Sequence, residues 1–237
     1  IRDLIVTGVQ TCALPISNPE KLLSELIRHN ALEFARRPQD LLEICSDWRT
    51  TGKIRKHADQ IETNIRTKLE PTENRKERAE ISLDKALDGA RRLAFAAQMT
   101  RRLTFQYGAN SDSDEKLSAI NSSIVLSDWS INEQKALLER SLFGYATYGQ
   151  VRFHHRSVTE YLAAKHLLAL RQKGMSPNLL KKLIFDEVDN KLFVLPSKRP
   201  IAAWLALEER NIYELLRDND PLVLMNEGDP ESLRHRR

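Results

Sequence analysis

"SLFGYATYGQVRFHHRSVTEYLAAKHLLAL", residues 141–170, changes periodicity part-way along its length. Leu142 to Tyr145 and Val151 to His154 are short and rich in aromatic or β-branched residues, and Tyr148-Gly149-Gln150 can turn between them. That pattern predicts a small β-hairpin, expected as the only one in the chain. Ser157 and Glu160 follow with capping-box spacing, in which each side chain satisfies the other's backbone amide. A helix is therefore expected to open there and run to about Leu170. "SDWSINEQKALLERSLFG" (127–144) places another helix before the hairpin, with Ser130 and Glu133 at the same spacing. Helix, hairpin and helix within an otherwise helical chain are the grammar of a winged helix.

Helical periodicity extends on both sides. "SNPEKLLSELIRHNALEFARRP" (17–38) reads as a helix that Asn18 can cap, with Pro19 in its first turn and a stripe of Leu22, Leu23, Leu26 and Ile27. In "PQDLLEICSDWRTTG" (38–52), Pro38 opens a second helix and Gly52 stops it. Leu41, Leu42, Ile44, Cys45 and Trp48 form its buried face, with Cys45 a small buried hydrophobe. A third helix is expected over 57–69. "PTENRKERAE" (71–80) has almost no apolar residues and reads as a solvated linker. Leu83, Leu87, Ala90, Leu93, Ala94 and Ala97 predict a long helix over 82–105, with Arg91-Arg92 and Arg101-Arg102 on solvated faces. "YGANSDSDEK" (107–116) reads as a loop. Further helices are expected at 178–185, 200–207 and 212–216, and "WLALEERNIYELLRDNDPLVLMNEGDPESL" (204–233) resembles the helical pairs of solenoids without establishing a period.

The expected fold is mainly α: a helical bundle (18–78), a winged-helix-like domain with one short hairpin (79–172), then the start of a helical, solenoid-like region (173–237). Only 8 Gly and 9 Pro in 237 residues agree with helices. No apolar run approaches the ~18 residues of a membrane span, so no membrane partner is expected. Three of the net +4 charges sit at Arg234, Arg236 and Arg237, which leaves +1 on the rest and little basis for a nucleic-acid surface. Two distant cysteines make no disulfide framework, so a reducing, cytoplasmic setting is expected.

Residues 1–17, "IRDLIVTGVQTCALPIS", superficially suggest a secretory signal. However, Asp3 follows Arg2 at once, and Thr7, Gly8, Gln10 and Thr11 interrupt the continuous apolar run that a signal requires. A more specific likeness lies in "VTGVQTCALPI" (6–16), which resembles the translation of a short-read sequencing adapter. Ile1-Arg2-Asp3 matches the adapter upstream, and Leu4-Ile5 takes the place of its sample index. Residues 1–17 are thus expected to be adapter-derived, which leaves Cys45 as the one natural cysteine. The natural protein is expected to enter mid-chain at about Ser17 or Asn18.

"FHHRSVTEYLAAKHL" (153–167) resembles the end of the winged-helix part of NACHT-type signalling ATPases, the STAND class. Their pattern, Phe-x-His-x-Ser-x-x-Glu-Tyr-Leu-Ala-Ala, is met by Phe153, His155, Ser157, Glu160, Tyr161, Leu162, Ala163 and Ala164. "RRPQDLLEICSDWRTTGKI" (36–54) is similar to the segment after the ATPase core of the same family. The resemblance covers about 33–170 and points to the large bacterial proteins linked to phage defence. It implies that His155 touches the β-phosphate of ADP and latches a closed state, and that Pro38 packs beside the adenine. It also implies an upstream ATPase core as partner, ATP or ADP with Mg²⁺ held mainly by that core, and homo-oligomerisation of the full-length protein. A histidine just before a helix N-terminus suits an anion physically. His155 equally fits a histidine bonded to a backbone carbonyl, and Pro38 an ordinary helix-start proline. His154 and Arg156 read as structural or exposed.

The chain has no Gly-rich phosphate loop ending in Gly-Lys-Ser/Thr, no acidic Mg²⁺ strand, no zinc spacing and no nucleophile–base pair. The fragment itself is therefore not expected to be an enzyme. Two other readings stay open: a DNA-binding winged-helix regulator, for which "INEQKALLER" (131–140) offers only Lys135 and Arg140, and a structural helical adaptor.

Overall fold

Asn18 accepts the amide of Lys21 on its side-chain oxygen at 3.1 Å, so helix α1 (Pro19–Arg28) starts where its cap and proline predict. The computed structural model describes residues 18–28, 32–35, 38–54, 57–71, 78–107, 119–146 and 149–233. The expectations for residues 1–17, for most of the 71–80 linker, for most of the 107–116 loop and for Tyr148 lie outside them. By its contacts the chain divides into residues 1–64 and 65–237. The fold is mainly helical, as the periodicities predict, with small antiparallel sheets.

In the first unit, α1 is followed by α2 (Leu32–Ala35) and α3 (Pro38–Thr51), and the stretch expected as one helix over 17–38 is helical at 19–28 and 32–35 among the described residues. Leu22, Leu26, Ile44 and Cys45 are almost wholly buried, and Trp48 is 5% exposed. Gly52 takes φ +64° just past α3 and donates its amide to the Trp48 carbonyl, the left-handed stop expected of it. Helix α4 (His57–Leu69) carries the boundary between the units.

The second unit is built on α5 (Leu83–Thr100), capped by Ser82, whose hydroxyl accepts the Lys85 amide at 3.2 Å. Ala86, Gly89, Ala90, Leu93, Ala94 and Ala97 give it a buried stripe of mostly small residues. The helix ends before the expected 105, because Arg101 turns left-handed (φ 58°) and Phe105 enters a strand, β1 (Phe105–Gln106). Next come α6 (Ser122–Val125), α7 (Ile131–Leu138), β2 (Phe143–Tyr145), β3 (Gln150–Phe153) and α8 (Arg156–Gln172). The sheet runs β1–β3–β2, antiparallel throughout. Helix, strand, two helices and a hairpin follow one another in the order expected of a winged helix. Its third strand, two residues long, is too short for any periodicity to announce.

The capping box of α7 forms as expected: Ser130 accepts the Glu133 amide at 3.3 Å and Glu133 accepts the Ser130 amide at 2.9 Å. The box expected at α8 does not form. The helix begins at Arg156 with His155 as its N-cap residue, so Ser157 falls inside the first turn. Glu160 instead receives Arg156 at 2.7 Å. Burial of Val158, Tyr161 and Leu162 fixes the start of α8, and the cap chemistry yields to it.

The tail contains α9 (Pro177–Ile184), a second hairpin β4 (Phe185–Val188) and β5 (Lys191–Val194), a 3₁₀ turn (Pro196–Lys198), α10 (Arg199–Ala206), α11 (Arg210–Asn219), α12 (Pro221–Asn226) and α13 (Pro230–Leu233). The second hairpin corrects the expectation of only one. Asp189 and Asn190 both take positive φ, at 51° and 59°, which closes it with a two-residue turn. α10 is buried from Pro200 to Ala206, and Trp204 meets Tyr161 of α8 edge-on at 5.1 Å.

Gly89 decides how closely α5 approaches α7. A methyl group there would lie 2.7 Å from the Trp129 ring and 2.8 Å from Leu137, both buried. Gly89→Ala is expected to destabilise the protein by about 1–3 kcal/mol through overpacking, against the helix propensity of alanine. The urea midpoint checks this; a rise would show that Trp129 and Leu137 make room at no cost.

Candidate functional site

The β3–α8 junction is positioned by an aromatic cluster. Phe105 is fully buried, with Phe143 and Phe153 edge-on to it at 6.2 and 5.6 Å, and Phe143 and Phe153 tilted together at 4.6 Å. Tyr107 and Tyr145 extend the cluster at 5.9 Å. The Tyr107 hydroxyl donates to Glu139 at 2.5 Å, which also receives Arg78 at 2.7 Å. Burial, then the neighbouring carboxylate, pushes the Tyr107 phenol up to about 12.

Two residues beyond Phe153, His155 is the N-cap of α8, only 8% exposed, in extended conformation (φ −121°, ψ 135°). Its carbonyl accepts both the amide and the hydroxyl of Thr159, at 3.3 and 3.1 Å, while its side chain does not cap the helix. By helical geometry the amides of residues 156–158 have no carbonyl one turn earlier. These amides, the dipole of the 17-residue helix and the neighbouring Arg156 favour an anion there. Arg156 is 79% exposed, but Glu160 draws on its charge at 2.7 Å. Burial raises the Glu160 carboxyl above its usual range, Arg156 opposes that, and Glu227 adds to it.

His154 lies over Gly144, where a methyl group would collide with its ring. Pro38 opens α3 in the first unit, and its side chain lies outside the described residues. The structure thus places His155 at a helix N-terminus and leaves the expected adenine contact of Pro38 undescribed. A cleft of about 350 Å³ lies between α9 and α11, floored by Leu180 and Ile212, and another of about 190 Å³ lies beside β1 and α7; His155 lines neither.

Several charged residues carry structure that periodicity did not announce. Arg140 is 2% exposed, and its guanidinium donates to the carbonyls of Leu69 and Ile81. Arg92, expected on a solvated face, forks onto Asp128 at 3.0 and 2.6 Å and reaches the Val125 carbonyl at 2.6 Å. Lys198 is buried, and its ammonium meets the Gln98 carbonyl in the last turn of α5 at 2.5 Å. Arg101 and Arg102 are exposed, as expected. Among the described residues no group of three His, Cys, Asp or Glu could hold a metal ion, and no helix is long and apolar enough to cross a membrane.

Set against known proteins, the chain matches no family model, no curated protein and no solved structure.

Because the folded state holds the Glu160 carboxyl above its ordinary value, it binds that proton more tightly than the unfolded chain. The associated stability is present below about pH 4.3 and is lost as pH rises through the folded value. Glu160→Gln should therefore gain stability relative to the parent as pH rises from about 4 to 7. Thermal melts across that range test it, and a difference independent of pH would refute it.

Proposed function

We propose that this chain is the regulatory arm of a NACHT-type STAND ATPase, one that responds to the ADP or ATP state of a core lying elsewhere in the full protein. The observation carrying this reading is the Phe153–Ala164 motif, with His155 buried at the N-terminus of α8. The residues present fit a phosphate in part: an imidazole, three amides without helical partners and a helix dipole. A bound nucleotide would supply the phosphate charge that differs between the two states. His155 and the α8 amides would bind ADP more strongly in the closed arrangement, and that difference alone would set the population of closed arms. Release would free the arm for homo-oligomerisation in signalling or phage defence. Mg²⁺ and the remaining phosphate contacts would come from the core.

The DNA-binding alternative loses support from α7. Of the two basic residues in 131–140, Arg140 is buried and committed to backbone carbonyls, and α7 exposes Ile131 at 66%. A purely structural adaptor remains the reading for the tail if nucleotide proves irrelevant.

In the full natural protein, His155→Ala should weaken ADP binding about tenfold, the worth of one charge-assisted hydrogen bond, and raise basal activity. Calorimetric titration with ADP reads the first effect, with the thermal melt as a folding control. Unchanged ADP affinity in a folded variant removes His155 from the role. Independent genomic DNA showing a start codon near Asn18 and no phosphate loop upstream would overturn the whole reading.

A further inference from the structure

The β4–β5 hairpin pairs with no other strand among the described residues. Its register sets Phe185 opposite Val194, Asp186 opposite Phe193, Glu187 opposite Leu192 and Val188 opposite Lys191. Alternation of side chains then divides it into two faces. One carries Phe185, Glu187, Leu192 and Val194; Phe185 and Val194, 4% and 1% exposed, turn into the protein, while Glu187 stays exposed nearer the turn. The other carries Asp186, Val188, Lys191 and Phe193, and all four are exposed, Val188 at 56% and Phe193 at 36%.

These four side chains form a square with a definite pattern. Phe193 and Val188 occupy one diagonal, and Asp186 and Lys191 the other. Opposite corners lie about 8 Å apart, and Asp186 and Lys191 make no ion pair across their diagonal. Neither has an ion-pair partner among the described residues; Asp186 only accepts the Glu187 amide, at 2.9 Å. The face is therefore half apolar, half unpaired charge, and held rigid by its two-residue turn.

We infer that this face docks on the same face of a second copy of the chain. A two-fold axis along the Phe193–Val188 diagonal superposes the pattern on itself. It stacks Phe193 on the partner's Phe193 and Val188 on the partner's Val188. It also sets each Asp186 over the partner's Lys191, so two ion pairs form across the interface. Edge pairing of two β4 strands is less suited, because Asp186 and Glu187 would bring carboxylates together. A patch of this size lies well below the ~800 Å² per partner of a standard interface, so the contact is weak and concentration-dependent. It is independent of the nucleotide reading and stands or falls separately.

Sedimentation velocity of the chain over roughly 10 to 500 μM tests it. The parent should shift from monomer toward dimer across that range. Lys191→Asp and Asp186→Lys should each remain monomeric, because each sets like charges over one another. The double variant Asp186→Lys/Lys191→Asp should dimerise again. An equimolar mixture of the two single variants should form a heterodimer, since one face is then wholly basic and the other wholly acidic. Circular dichroism confirms that each variant folds. A parent that stays monomeric throughout, or single variants that associate as well as the parent, would overturn the proposal.

Discussion

Everything near the β3–α8 junction depends on Phe105. Its ring is fully buried and meets Phe143 and Phe153 edge-on, so a strand only two residues long is held in a three-stranded sheet. Two backbone pairings could not hold such a strand in water by themselves, and aromatic burial supplies the remainder. That anchoring ends α5 early, aligns β3, and delivers the chain to His155 in the extended conformation that an N-cap residue requires.

Around this apolar centre, buried and half-buried cations close the joints between segments. Arg140 joins the end of α7 to carbonyls at the end of α4 and just before α5. Lys198 meets the last turn of α5 from the tail, where the helix dipole is negative. Arg92 fastens α5 to the turn after α6. A buried cation is costly without acceptors, so each of these contacts holds two segments in one arrangement. The same commitment takes Arg140, just past α7, out of the exposed surface, and α7 itself exposes Ile131.

The proposed nucleotide reading rests on a short motif whose residues have distinct structural positions. Phe153 enters the core, His154 packs over Gly144, His155 begins the helix, and Tyr161 and Leu162 bury its inner face. Ser157 and Glu160 behave otherwise than their spacing suggests, because the buried positions of α8 set its start two residues earlier and Glu160 turns to Arg156.

Local chemistry by itself determined most of the helices here. Asn18-Pro19, Ser82 and the Ser130–Glu133 box mark helix starts because caps act within one turn, and Gly52 marks an end because the left-handed conformation suits glycine. The first hairpin and the buried state of Cys45, Tyr161 and Leu162 were legible for the same local reason, alternation or helical spacing. Tertiary structure alone decided the rest: the third strand at Phe105, the failed cap at Ser157, the buried roles of Arg140 and Lys198, and the second hairpin after Ile184. In each case the deciding partner lies far along the chain or on another element, and burial against it outweighs a local preference worth about 1 kcal/mol.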